Sequence, residues 1–212
     1  VEYSLVGINQ VQINIKAGLT FPTGLRAILR QDPDIIMVGE MRDIETAELG
    51  VRAALTGHLF FSTLHTNSAS GTVARMVNMG IENYLLASSL AGVISQRLIR
   101  RLCSNCKQSY YLDETVPRRL GMEAYVGREF YRPQGCNMCR HSGYSGRMAL
   151  HEVLVLGPQM RTAINSYINA EDELENIARQ EGMVTMREDG IAKALAGDTS
   201  LEEVMRGVYL GS

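Results

Sequence analysis

Three groups of side chains in this 212-residue sequence have the types and spacing to do chemistry. Glu40 stands two residues beyond the apolar run Ile35-Ile36-Met37-Val38. Thr63, His65, Thr66 and Asn67 follow a second run, Leu59-Phe60-Phe61-Ser62. Four cysteines form two pairs, Cys103-Ser104-Asn105-Cys106 and Cys136-Asn137-Met138-Cys139, with 29 residues between them. A carboxylate fixed just past a strand can hold Mg²⁺ or orient a water beside a triphosphate. The competing reading of Glu40 is a cap on the turn that follows. Four hydrogen-bonding side chains after the second run are more than a turn needs.

Two Cys-x-x-Cys knuckles place four thiolates in tetrahedral reach of one ion, the donor set of a structural Zn²⁺ site. Disulfides are the alternative, disfavoured in a reducing compartment. A redox centre would need one pair only. A zinc deaminase would need His-x-Glu ahead of the second pair, and none is present.

The elements that must position these groups follow from the runs. Both are short, continuous and bounded by Pro, Asp and Gly, as expected of parallel strands buried on both faces. Between them Asp43 is a good helix N-cap and Gly57 a good residue just past a helix end. A strand, a right-handed helical crossover and a second strand would carry Glu40 and His65 to the carboxyl ends, where ligands of such sheets collect.

Upstream, residues 8–16 alternate from Gln10 onward and predict a half-buried strand. Thr20-Phe21-Pro22-Thr23 opens a helix that runs to about Gln31, with Pro22 suited to its first turn. Arg26 and Arg30, four apart on that helix, repel unless an anion lies between them; two solvated arginines are the bland alternative. Arg42 is a third anion candidate, or else pairs with Asp43 or Glu45. Downstream, Asn67 to Gly80 predicts a helix, and Tyr84 to Leu102 a second, closed by Arg97, Arg100 and Arg101, cations suited to a helix C-terminus. His141 is expected to be exposed, not a fifth ligand. Residues 151–212 have helical character, with segments at Met160–Ile168, Asp172–Gln180, Arg187–Ala196 and from Ser200, where Ser200 and Glu203 fit a capping box. The methionines here are read as core filler.

The net charge of −2 hides an uneven distribution. Residues 103–150 hold seven basic and four acidic side chains, and residues 151–212 five and eleven. No basic stripe suggests nucleic acid. No apolar run approaches the roughly 18 residues of a membrane span, and no signal-peptide pattern opens the chain, so a soluble cytoplasmic protein is expected. The lysines are Lys16, Lys107 and Lys193, and none follows a glycine. A phosphate-binding Walker A loop, which requires Gly-Lys, is therefore absent from these residues.

The run from Leu25 through Asp34, then Gly39-Glu40-Met41-Arg42-Asp43, Thr56-Gly57-His58 and Ser62-Thr63-Leu64-His65-Thr66-Asn67 resembles the secretion ATPases of bacterial type II secretion and type IV pilus assembly. The resemblance covers almost the whole chain. It implies an α/β, RecA-like P-loop ATPase core truncated at its N-terminus, with a tetracysteine zinc insertion and a helical C-terminal tail. The expected segments are 1–102 for the partial core, 103–147 for the zinc subdomain and 148–212 for the tail. Glu40 would belong to the Walker B element and act on Mg²⁺ or water. His58 and His65 would bound a histidine box and contact the γ-phosphate. Arg26, Arg30, Arg42 and Arg147 would serve phosphate or a neighbouring subunit, Arg147 through the Gly-x-x-Gly-Arg at 143–147; a plain turn arginine is the alternative. Glu2 would be the last residue of an acidic Asp box. The resemblance further implies ATP with Mg²⁺ in a longer protein and a homo-hexamer. It also implies platform partners at the inner membrane, peripheral association there, and assembly of a pseudopilus or pilus. Without Walker A, these 212 residues alone are expected to be inactive. A rival from another class is a non-catalytic, zinc-stapled interaction domain.

Overall fold

A computed structural model describes residues 1, 3–113, 122–166 and 170–209. Glu2 lies outside the described residues. The chain forms two compact units interleaved in sequence. The first comprises Val1–Thr66, Ser70–Gly92 and Val155–Glu181; the second comprises Asn67–Ala69, Val93–Leu154 and Gly182–Ser212. This division cuts across the three consecutive segments expected from the sequence. No helix among the described residues is long and apolar enough to cross a membrane.

In the first unit, β1 (Ile35–Val38) and β2 (Leu59–Ser62) pair in parallel, Ile35 opposite Leu59 and Val38 opposite Ser62. Helix α1 (Phe21–Leu29) precedes β1, capped by a reciprocal Thr20–Thr23 box with Pro22 in the first turn. The crossover is α2 (Ile44–Leu55), begun by Asp43, whose side chain accepts from the Thr46 N–H at 2.8 Å. It ends at Thr56, where Gly57 takes φ +99° and the N–H groups of Gly57 and His58 close on the carbonyls of Ala54 and Ala53. Gly50 lets this helix lie directly on β2, because a Cβ there would stand 2.6 Å from the Phe60 ring. Leu25, Ile36, Val38 and Ala53 form the resulting core, with Phe21, Ile28, Leu49 and Phe60 around it.

That core covers one face of the strand pair only. Ile35, Met37, Leu59 and Phe61 are 62%, 71%, 49% and 50% exposed on the other, so strands buried on both faces are not what this chain forms by itself. Residues 8–16 also depart from expectation. No strand forms there; Ile8, Val11 and Ile15 are exposed, and the only pairing nearby is an isolated bridge from Asn14 to Leu19. Alternation alone cannot make a strand without a neighbour to bond.

Helix α3 (Ala69–Asn78) belongs to this unit from Ser70 onward, followed by α4 (Asn83–Ser89). The chain returns later as α5 (Pro158–Asn165) and α6 (Glu171–Gln180), with α5 packed on both α4 and α6. The Asn83 amide donates to the Ile164 carbonyl at 2.7 Å, and the Glu181 carboxylate accepts from the N–H groups of Gln159 and Met160 at the open start of α5.

The main part of the second unit opens with a strand where a helix was expected. β3 (Gly92–Leu102) follows α4 and pairs with β6 (Tyr144–Val155). The spacing of four between Leu90, Ile94 and Leu98 satisfies a helix and a strand equally. The deciding signal is the glycine and β-branched run Gly92-Val93-Ile94, after which burial alternates with period two. Arg97, Arg100 and Arg101 therefore lie on a strand, not at a helix end. Likewise 151–155, expected to be helical, completes β6. Between these strands β4 (Gln108–Tyr111) and β5 (Glu129–Arg132) form an antiparallel pair, and α7 (Met186–Leu195) and α8 (Leu201–Tyr209) pack on β5. One core joins them: Leu112, Met122 and Phe130 with Leu150, Ile191, Ala194 and Val204.

Glu203 of α8 is 1% exposed, and its carboxylate accepts from the guanidinium groups of Arg100 and Arg206 at 2.5 and 2.6 Å and from the Arg100 backbone N–H at 3.0 Å. Half of the expected capping box forms, Ser200 Oγ accepting from the Glu203 N–H at 3.2 Å, while the carboxylate is turned to β3. Burial raises the Glu203 pKa, but the hydrogen bonds from Arg100 and the charges of Arg100 and Arg206 outweigh it, and the net shift is downward. Removing one partner of a buried pair typically costs 3–5 kcal/mol; with both arginines half-exposed and able to rehydrate, Glu203→Ala should cost about 3 kcal/mol in urea unfolding at neutral pH. Because the folded pKa is depressed, the stabilisation is whole above the unfolded value of about 4.3 and is lost as pH falls through the folded value. Parent and variant should therefore converge in strongly acidic solution.

Candidate nucleotide site and candidate metal centre

The parallel register levels the carboxyl ends of β1 and β2, so the chain leaving each strand emerges beside the other. The Met41 N–H donates to the Thr63 carbonyl at 3.1 Å, and the Thr63 hydroxyl donates to the Gly39 carbonyl at 2.6 Å. Glu40 sits between these two bonds, with its side chain 20% exposed. One carboxylate oxygen faces Arg42, whose Nη2 and Nε lie at 2.5 and 2.6 Å, and the other lies 3.1 Å from His65 Nε2. The Arg42 hydrogen bond is the main cause that lowers the Glu40 pKa; burial opposes it, and the charges of Arg42 and His65 add to it. A glutamate so held is anionic at neutral pH and a weak proton acceptor. That suits it to ligate a divalent cation or orient water rather than to abstract a proton.

The expected site residues divide sharply. Glu40, Arg42 and His65 come together, and Arg42 chooses Glu40 over the Asp43 or Glu45 partners read from the sequence. His58 stands apart from them. It precedes β2, at the opposite end of a strand about 10 Å long, where Nδ1 lies 3.1 Å from both the Ala53 carbonyl and Thr56 Oγ1. This histidine completes the C-terminus of α2. Arg26 is neutralised by Glu45 of α2 at 2.6 Å, without need of a bound anion, and Arg30 is the exposed C-cap of α1. Arg147 is exposed on β6, in the second unit.

All four cysteines are free of disulfides, and their sulfurs lie within 4.8 Å of one another. Individual Sγ–Sγ distances are 4.0 Å for Cys103–Cys136, 3.8 Å for Cys106–Cys139 and 3.7 Å for Cys136–Cys139. A tetrahedron with Zn–S bonds of 2.3 Å has edges of about 3.8 Å, close to these three distances, so the four sulfurs could hold a metal ion of that kind. The thiols are tuned unequally. The Asn105 amide, 3.4 Å away, is the leading cause that brings Cys136 down to about 6, with the Cys139 N–H assisting. At Cys139 burial pushes upward, but the N–H groups of Cys136 and Gly143, both 3.2 Å from Sγ, prevail and lower it. Burial raises Cys106 to about 11. Asn105 was not singled out from the sequence; an amide inside a Cys-x-x-Cys loop was the available sign. His141 is exposed and outside the cluster, as expected.

The family model described as "Type II/IV secretion system protein" matches residues 1–206. Type II secretion system protein E of Dickeya dadantii (strain 3937) is 51% identical over 208 residues, covering 97% of this chain and 41% of that protein. The type IV pilus assembly ATPase PilB of Thermus thermophilus is 52% identical over 207 residues, covering 97% of this chain and 23% of that one. The chain thus spans about two fifths, or less, of the length of these relatives. Among solved structures, the pilus retraction motor PilT with bound ADP is 30% identical, with a TM-score of 0.61 over 89% of this chain and 43% of that one. The Legionella pneumophila ATPase DotB, 23% identical with a TM-score of 0.64 over 95% of this chain and 45% of its own, shares the α/β fold. On sequence and fold together, the chain belongs to the type II/IV secretion system protein family.

Proposed function

We propose that these residues are the C-terminal ATPase domain of a longer motor that couples ATP hydrolysis to assembly of a type II secretion pseudopilus or type IV pilus. The observation that carries the reading is the anionic Glu40 at the carboxyl end of β1, clasped by Arg42 and His65, in a chain of this family. In the assembled protein the β1–β2 pair would be part of a RecA-like core. The motor would work as a homo-hexamer in the cytoplasm against platform proteins of the inner membrane. Mg²⁺ bound with ATP would neutralise charge on the β- and γ-phosphates. Glu40 would ligate that ion or hold the attacking water in line, His65 would contact the γ-phosphate, and Arg42, 75% exposed, would exchange Glu40 for phosphate oxygens. His58 supports this arrangement through α2, while Arg26, Arg30 and Arg147 are candidates for phosphate or a neighbouring subunit. Glu2 would complete an acidic motif contributed mostly by preceding residues. The four cysteines would hold a structural Zn²⁺, stapling β4 and β5 to the core shared with α7 and α8.

In the full-length protein, Glu40→Gln should abolish turnover while leaving the fold and most of the ATP affinity intact. Turnover within about threefold of the parent, a barrier change under about 1 kcal/mol, would remove Glu40 from the chemistry and leave it as a cap on the turn after β1.

The metal is testable on the chain itself. Purification without chelators should yield close to one zinc per chain by elemental analysis, and chelation should raise amide exchange across residues 103–147, because a structural zinc site contributes folding free energy directly. Less than about half an equivalent of zinc would count against the site.

The 212 residues alone should release no phosphate from millimolar ATP with Mg²⁺. Phosphoryl transfer depends on positioning, and the amide cradle with its lysine has no counterpart here. Release well above that of the Glu40→Gln chain, used as a contamination control, would mean that these residues position ATP for hydrolysis without a Walker A loop.

A further inference from the structure

Thr63 holds both peptide planes that flank Glu40. Its hydroxyl donates to the Gly39 carbonyl at 2.6 Å, and that carbonyl belongs to the rigid unit that also carries the Glu40 N–H. Its own carbonyl accepts from the Met41 N–H at 3.1 Å, and that N–H belongs to the unit that carries the Glu40 carbonyl. With both planes tied to one residue, φ and ψ of Glu40 are fixed relative to the end of β2, and only the side-chain torsions remain free. The second bond is backbone to backbone and survives any substitution. The first exists only because residue 63 has a hydroxyl.

Glycine makes this tie necessary. Gly39 follows the last paired residue of β1, has nothing within 4 Å of where a Cβ would stand, and is exposed. Neither side-chain packing nor strand pairing orients its carbonyl, and glycine has the widest backbone freedom of any residue. On the opposite side of Glu40, its carboxylate is drawn by Arg42 and His65, both largely exposed to water. The Thr63 hydroxyl, itself exposed, links the Gly39 carbonyl to the residue that follows β2.

We infer that Thr63 is a positioning residue for Glu40, acting through the Gly39 carbonyl. The inference rests on the reading of Glu40 as a group of the ATPase site. Thr63 touches neither nucleotide nor metal in this role; it sets where the Glu40 carboxylate can reach. Valine keeps the β-branched shape and discards the hydroxyl, whereas serine keeps the hydroxyl and discards the methyl group.

The test uses the full-length protein with four variants: Thr63→Val, Thr63→Ser, Glu40→Gln and the double Thr63→Val/Glu40→Gln. Displacing a reacting group by a fraction of an ångström to an ångström costs on the order of tenfold to a hundredfold in rate, so Thr63→Val should lower kcat by about that much. The KM for ATP should stay within about threefold, and Thr63→Ser should restore kcat to within about threefold of the parent. In the double variant the valine should add no further loss, because the group it misplaces is already disabled. Thermal unfolding of each variant separates positioning from collapse, and if Thr63→Val does not fold, Thr63→Ala removes the same hydroxyl with no added bulk. Three results would overturn the inference while leaving Glu40 in the chemistry, each read beside an inactive Glu40→Gln: a Thr63→Val kcat within threefold of the parent, equal damage from serine and valine, or a valine effect confined to KM. An active Glu40→Gln would overturn both together.

Discussion

The parallel register of β1 on β2 is the constraint on which the candidate nucleotide site depends. Setting Val38 against Ser62 brings Gly39 level with Thr63, and from there the two chains separate into Glu40-Met41-Arg42 and Leu64-His65. Residues 25 positions apart in sequence thus meet within hydrogen-bonding distance. A slip of one residue would turn every side chain of the shifted strand to the other face, putting Ile36 and Val38 in water and Ile35 and Met37 against Leu25 and Ala53. The apolar core on one face therefore enforces the register that juxtaposes the polar residues beyond it. Gly50 contributes at one remove, by letting α2 reach Phe60 closely enough for that core to close.

The second unit is organised around a different constraint. Its β4–β5 pair is too short to stand alone; Phe130 of β5 and Leu112, just past β4, are buried in the same core as Ile191, Ala194 and Val204 of the last two helices. The Lys107 ammonium adds a polar tie, donating to the Gly197 carbonyl at 2.7 Å and lying 4.8 Å from the centre of the Tyr131 ring. The cysteine-bearing segment and the last two helices are thus parts of one packed body. Ionic contacts add to the tie: Arg100 meets Glu203 and stacks 4.0 Å from the Tyr144 ring, and Arg101 lies 3.4 Å from Asp198.

What could be read in advance divides by the range of the interaction. Helix starts and stops are local, so Thr20 and Pro22, Asp43, Gly57, and Ser200 were legible as the caps and breaks they form. Cysteine spacing is nearly local as well, since each knuckle is built within four residues. Strand existence is not local. Residues 8–16 had the pattern without a partner, while residues 92–102 had a partner, β6, which their helix-compatible spacing concealed. In the candidate site, Glu40 and His65 could be picked out because functional groups at strand ends are a positional signal. The separation of His58 from them was legible as well, since it precedes the run Leu59–Ser62 that His65 follows; the motif match grouped the two histidines regardless of which strand end each occupies.

The candidate site combines a fixed base with replaceable contacts. Glu40's backbone is tied on both sides by Thr63, whereas its carboxylate is satisfied by Arg42 and His65, 75% and 89% exposed. Exposed ion pairs of this kind contribute little to stability, because water screens the charges and long side chains lose entropy in holding one geometry. The hydrogen bonds hold one carboxylate oxygen against Arg42 and the other against His65, and the Arg42 bond lowers the Glu40 pKa further. A divalent cation at Glu40, or a phosphate dianion at Arg42, presents a stronger field than the partner it replaces, so the exchange breaks weak contacts only. The backbone that delivers the carboxylate need not move. A site that must bind, turn over and release a highly charged ligand repeatedly requires this division, since a deeply buried Arg–Glu pair such as Arg100–Glu203 would resist the exchange.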